Sequence, residues 1–303
     1  MGPLARGGVG MTACPLFVEL CAGTAAVSVR LARARARPPV SRMGSKSGYA
    51  DALLGLAGLR PGQGAERYLW CEPDPGCRLL LHAYRSAPLA QAAADIIRGW
   101  AAEDPRALWE RLRAEGPPRL PEGPVDAGEV ARWQVLGAWS FRRGQVESGY
   151  APRAEPRVGS GGYLRDGTDA SLSHLSSAMG EVGTLPATIH PDARTIDPPA
   201  LPPGTVVFID PPYVGTTPYA HTLPRADVVA LARRWAAAGA LVMVCEAEPI
   251  PELLADGWGY RDIAHARKGQ ARTFSRQSRE VVTMNRAPVH VPAEQVGLFG
   301  GAR

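Results

Sequence analysis

The chain has 303 residues, 45% of them hydrophobic, with a formal charge of +5 and a pI near 9.1. Such a length and apolar content build one large α/β domain, or a domain carrying an insertion, and exclude a wholly disordered chain. The charge mildly favours a polyanionic partner, and no apolar run approaches the ~20 residues that cross a bilayer.

Residues 1–14 read as a disordered lead-in without the apolar stretch of a signal peptide, and Met11 offers an alternative start. LFVELCAG (Leu16 to Gly23) predicts a buried strand ending in a glycine turn. TAAVSVRLARARA follows as a helix with Ala26, Val27, Leu31 and Ala34 on one face. RLARARARPPVSR spaces arginines along that helix and its exit, the pattern of a solvated face. YLWCEPD predicts a second strand ending in Glu72 and Asp74, ahead of the helical GCRLLLHAYRSA. From Asp95 to Arg165 the strand–helix rhythm is lost. This segment holds two helical pieces, PRALWERLRAE and GEVARWQVLGAWSFRRG, and then PRAEPRVGSGGYLRDGTD, rich in Gly, Arg and Pro. Trp133 and Trp139 read as the core of a helical cap. Arg142, Arg143, Arg153, Arg157 and Arg165 either belong to that cap or reach phosphates. ATIHPDA predicts a third strand ending at Asp192, and VVFIDPPY a fourth. RADVVALARRWAAAGA is an amphipathic helix closed by Gly239, LVMVCEAE is a fifth strand and REVVTMN a later one. Residues 288–303 carry no core pattern and read as a flexible tail.

Strands alternating with helices predict an α/β fold with a doubly wound, Rossmann-like, largely parallel sheet. Five cysteines (14, 21, 71, 77 and 245), odd in number and without a CxxC pair, predict reduced thiols in a cytoplasmic protein and no zinc site. All but two of the 34 basic residues are arginine, which leaves Lys46 and Lys268 standing out.

Four predicted strands end in an acid: Glu72, Asp192, Asp210 and Glu246. Buried unpaired charge is costly, and open α/β sheets bind ligands beyond the carboxyl ends of their strands. Carboxylates collected there point to a site. The fourth strand is the most specific, since Val206 to Ile209 runs straight into Asp210, Pro211, Pro212 and Tyr213. A plain turn would account for Asp-Pro-Pro. At the carboxyl end of a parallel strand the same residues present a carboxylate, a rigid carbonyl and an aromatic face.

Taken in order, FVELCAG, the acidic end of strand two, HPDAR, FIDPPY and EVVTMN resemble the class I S-adenosylmethionine-dependent methyltransferases. More narrowly, they resemble the DPPY-bearing DNA adenine methyltransferases of the Dam type, in a divergent, phage-like form, from Leu16 to Asn285. The resemblance implies a catalytic domain over residues 15–94 and 166–287, with an inserted target-recognition segment over 95–165. It implies that Glu19, Cys21, Ala22 and Gly23 lie under the methionine part of S-adenosylmethionine and that Glu72 accepts its ribose hydroxyls. Asp192, with Ala193, would take the cofactor's adenine. Glu72 as the cap of the next helix, and Asp192 as an Asx turn, are the alternatives. Asp210 and the Pro211 carbonyl would each accept one N–H of a target amine, with Pro212 stiffening the turn. Tyr213 would stack on the target base, and Tyr219 either forms another pocket wall or packs its own loop.

SRMGSKSGYADALL resembles the family's glycine–lysine element and directs Lys46 to the cofactor or the active-site carboxylates, although here it follows the first helix instead of preceding the first strand. Cys21 and Ala25 stand where the family's F-x-G-x-G turn has Phe and its second Gly. Arg276, in HARKGQARTFSRQSRE, is expected on nucleic-acid backbone. QVGLF resembles the pentapeptide that binds bacterial sliding clamps, through Gln295, Leu298 and Phe299. The activity implied is methylation of the 6-amino group of adenine in DNA, with the base flipped out. The alternatives are an amine or amide methyltransferase acting on RNA or protein, and a non-catalytic relative that binds cofactor or DNA.

Overall fold

The structure, a computed structural model, describes residues 13–40, 45–140, 169–213, 221–263 and 280–286. Among them seven short strands form one sheet: β1 (Phe17–Leu20), β2 (Tyr68–Cys71), β3 (Ala187–His190), β4 (Val206–Ile209), β5 (Leu241–Glu246), β6 (Gly259–Asp262) and β7 (Val281–Met284). Their order is β3-β2-β1-β4-β5-β7-β6. The first five run parallel, and β7 lies antiparallel to both β5 and β6. The expected α/β, doubly wound sheet is the fold observed.

Apolar runs such as VVFI are buried on both faces because each face of the sheet carries its own core. Phe17, Trp70, Val206, Phe208, Met243 and Met284 point into one core. Val18, Leu20, Cys71, Val207, Ile209, Val242 and Val244 point into the other. The first core is closed by α1 (Ala26–Ala32), α2 (Ala50–Leu56), α3 (Pro75–Tyr84), α4 (Ala87–Gly99), α5 (Pro105–Ala114), α6 (Ala127–Trp139) and α7 (Asp169–Val182). The second is closed by α8 (Arg225–Ala237) and α9 (Pro251–Ala255).

One expectation needs correction, and the connection between β2 and β3 holds more than the sequence pattern shows. Helix α1 stops at Ala32, its buried residues run all round it, and Ala34 is exposed. The amides of Gly62 and Gly64 take the carbonyls of Arg30 and Leu31, so a neighbouring loop satisfies the helix end and terminates it. Asp95, the expected start of the inserted segment, lies within α4. The segment between β2 and β3 also includes α7, a serine-rich helix that carries no clear sequence signal. Its helices share the first core with the sheet, and Trp133 and Trp139 are buried there as expected.

Candidate active site

The chain leaves β1 for β2 on one side of the sheet, while β4 pairs with β1 on the other. The crevice beyond the carboxyl ends of β1 and β4 is therefore the topological switch point, where open α/β sheets bind ligands. Both of the turns singled out in the sequence sit at its rim.

On the β1 side the backbone folds back tightly, with Cys21 (φ 64°), Gly23 (φ 53°) and Ala25 (φ 49°) all left-handed. Two of the three carry a side chain, which is uncommon and strained in this region. The turn is held by Ala22 N–H donating to Cys71 O at 2.8 Å and Gly23 N–H donating to Glu72 Oε2 at 2.6 Å. Glu72 Oε1 also accepts the Asp74 amide at 2.9 Å. The cap of the following helix, α3, is Asp74 and not Glu72. A Cβ placed on Gly23 would meet no atom within 4 Å, so the turn opens onto space beside a fixed carboxylate.

Glu19 lies beneath this turn, 3% exposed. The residue before α1 is Ala25, which has no side-chain acceptor, and Glu19 Oε1 instead accepts the Ser28 amide in the helix's first turn at 2.5 Å. A strand carboxylate thus stands in for a helix cap. Burial lifts it to about pH 7, against the pull of Ser28. Burial, then the charges of Glu72 and Asp210, push the Cys21 thiol up, which leaves it neutral and a poor nucleophile.

On the β4 side the Asp210 amide donates to Leu20 O at 3.3 Å, tying the two strand ends together. Pro211 is buried, and Pro212 and Tyr213 are half-buried. Lys46 opens a short 3-10 turn, Lys46–Gly48, started by Ser45 and leading into α2. This route returns it to the carboxyl edge despite its place after α1 in the sequence. Its ammonium lies 2.7 Å from Asp210 Oδ1, 3.5 Å from Glu280 Oε1 and 4.8 Å from the centre of the Tyr213 ring. The Tyr213 hydroxyl donates to the same Glu280 oxygen.

Burial alone would lower the Lys46 ammonium, but Asp210 and Glu280 outweigh it and hold it charged. Burial raises Asp210 to about 6, with Lys46 pulling the other way and Glu280 and Glu246 adding to the rise. Burial, then Asp210, also pushes the Tyr213 phenol up, so it remains a donor. Glu246, at the end of β5, is answered by Arg225 at 3.5 Å and its neighbouring Ala247 amide at 3.1 Å.

Glu280 is the site residue that sequence reasoning missed. The acids that stand out in the sequence lie at strand ends, whereas Glu280 stands at a strand's beginning. Because β7 is antiparallel, its start lies on the carboxyl edge, with Val281 opposite Glu246. Knowledge of that direction would have found it.

The remaining residues divide. Asp192 sits just past β3, where both its oxygens take the Arg194 guanidinium and one takes the Arg194 amide. That contact lowers its carboxyl and is the Asx-type arrangement. Ala193 packs in the second core. Tyr219, Arg142, Arg143, Arg153, Arg157, Arg165, Arg276, Gln295, Leu298 and Phe299 lie outside the described residues. Among the described residues no group of His, Cys, Asp and Glu could hold a metal ion, and no helix is long and apolar enough to cross a membrane. No protein-family model matches the chain, and no curated protein matches it.

Proposed function

We propose that the chain transfers a methyl group from S-adenosylmethionine to the 6-amino group of adenine in DNA. The observation that carries this reading is the Asp210–Tyr213 turn at the switch point, its carboxylate buried beside the Lys46 ammonium. The seven-stranded, mostly parallel sheet, with β7 reversed between β5 and β6, is compatible with the Rossmann-like fold that the resemblance implies.

The residues of the β1 turn fit the cofactor. Glu72, oriented by two backbone amides, is an acceptor for ribose hydroxyls, and the open side of Gly23 leaves room for a close approach. Held there, S-adenosylmethionine would supply an electrophilic methyl on a sulfonium, with a neutral thioether as the leaving group. The protein's part is to make the amine able to attack. Its lone pair is delocalised into the adenine ring, so it is a weak nucleophile. Asp210 and the Pro211 carbonyl accept one N–H each, draw the nitrogen towards tetrahedral geometry, and Asp210 takes the proton that leaves. The proline-stiffened turn holds these acceptors in place, so little reorganisation accompanies transfer. Turning the base out of the duplex costs a few kcal/mol, and stacking on Tyr213 returns ~1–3 kcal/mol of it.

Two variants separate binding from chemistry. Asp210→Ala leaves Lys46 its contact with Glu280 and is expected to fold, to bind S-adenosylhomocysteine within about threefold of wild type by calorimetry, and to lose transfer by at least ~100-fold. Glu72→Ala is expected to weaken that binding by ~10-fold or more. Full transfer by Asp210→Ala would refute the mechanism, and methylation of RNA or protein in place of duplex DNA would refute the substrate.

A further inference from the structure

The Lys46 ammonium lies 2.7 Å from Oδ1 of Asp210, the carboxylate that a target amine would use on the reading proposed above. A charged donor 2.7 Å away leaves the carboxylate its other acceptor directions but weakens each of them and lowers its affinity for the departing proton. Catalysis on this reading needs Asp210 negative at the moment when positive charge builds on the amine nitrogen. An ammonium drawn away from Asp210 strengthens that acceptor, and a second partner within the protein spares it a return to water.

One such partner is already in place. Glu280 Oε1 lies 3.5 Å from the ammonium, its side chain is only 9% exposed, and the Tyr213 hydroxyl donates to the same atom. A carboxylate oxygen has two acceptor directions, so it can hold the phenol and an ammonium together. We propose that Glu280 is a positioning residue that receives the Lys46 ammonium when the target amine reaches Asp210.

The shift is short, since less than an ångström separates 3.5 Å from a charge-assisted hydrogen bond. It conserves charge, because Asp210, Glu280 and one ammonium total −1 before and after. Only the location changes, and the negative charge moves to the carboxylate beside the reacting nitrogen. The bond from Tyr213 to Glu280 couples the move to base entry, since a base stacked on Tyr213 loads the ring that Glu280 anchors. The Glu280 contact likewise accounts for a second carboxylate at low exposure beside Asp210, where like charges repel unless the cation between them is shared.

The sequence supplies its own probe, having two lysines, Lys46 and Lys268. Protein labelled with 13C,15N-lysine gives two side-chain signals, and Lys268→Arg assigns them. The titrants are S-adenosylhomocysteine and a duplex oligonucleotide carrying the sequence that the wild-type protein methylates. The duplex is expected to shift the Lys46 signal of wild type and to leave that of Glu280→Gln in place. In kinetics, Glu280→Gln is expected to lower kcat by about tenfold or more with KM for duplex within about threefold, and Glu280→Asp to recover part of kcat. A Lys46 signal in wild type that does not move on duplex binding would overturn the proposal, whether or not the variants fold. So would a Glu280→Gln variant with kcat within twofold of wild type. A wild-type protein that binds cofactor and duplex yet methylates nothing would overturn the underlying function instead.

Discussion

Glu19 is a buried carboxyl on β1 and Asp210 a partly buried one just past the adjacent β4, and their surroundings give them different work. Asp210 faces an ammonium, which keeps an ionised acceptor within reach at about pH 6. Glu19 faces a backbone amide, which offsets burial less well, and its carboxyl rises from 4.5 to about 7. The sign of the consequence follows from linkage. A carboxyl raised in the folded state contributes stability that is fully present below about pH 4.5 and is lost as pH rises through about 7. Glu19→Gln keeps the acceptor for Ser28 and removes the titration. It is expected to match wild type at pH 4 and to exceed it by about 3 kcal/mol at pH 8, read from urea denaturation at both values. An advantage that does not grow with pH would show that Glu19 is ionised at little cost. At this scale the site was legible where chemistry and position coincide, as at Asp210 and Glu72. Lys46 was legible as a residue but not as a neighbour, because its 3-10 turn carries it back across the sheet edge. Glu19 was placed under the cofactor on resemblance, and the capping that occupies its carboxylate depends on Ala25 lacking one, a contact that spacing does not reveal.

Between elements, the tightest constraint joins the helical segment to the rim of the site. The Trp133 indole of α6 lies against the start of α3, and a Cβ on Gly76 would sit 1.7 Å from its Nε1. Gly76 follows Glu72 by one short turn, so α6 braces the loop that holds that carboxylate. Gly76→Ala is expected to cost about 3 kcal/mol by overpacking, although alanine suits a helix better than glycine. Trp133→Ala alone is expected to cost about 3–5 kcal/mol for the cavity it leaves. In the double variant the added methyl has room, so its cost should fall below about 1 kcal/mol. Strictly additive losses in thermal or urea unfolding would mean that Gly76 and Trp133 do not meet. The elements legible in the sequence were those buried on both faces or strongly one-sided. Strand β6 was not, because all four of its residues are exposed and no apolar pattern marks it. Helix α7 was not, because serines interrupt its apolar stripe and are equally at home in loops.

Across the whole molecule, two cores clamp one sheet, and its switch point gathers Glu72, Asp210, Lys46 and Glu280 from four separate stretches of chain. Alternating strands and helices were enough to reveal a doubly wound fold. They did not reveal the order of the strands, because a βα unit does not state which edge the next strand joins. They did not reveal the reversal of β7 either, and with it went Glu280. On the function proposed, this edge methylates adenine in DNA. The most direct test is single-molecule sequencing of plasmid from a methylation-free host expressing the chain, beside the same host expressing Asp210→Ala. The predicted result is N6-methylated adenine in one sequence context with wild type and none with the variant. Unmodified plasmid from a host holding folded, cofactor-binding wild-type protein would contradict it.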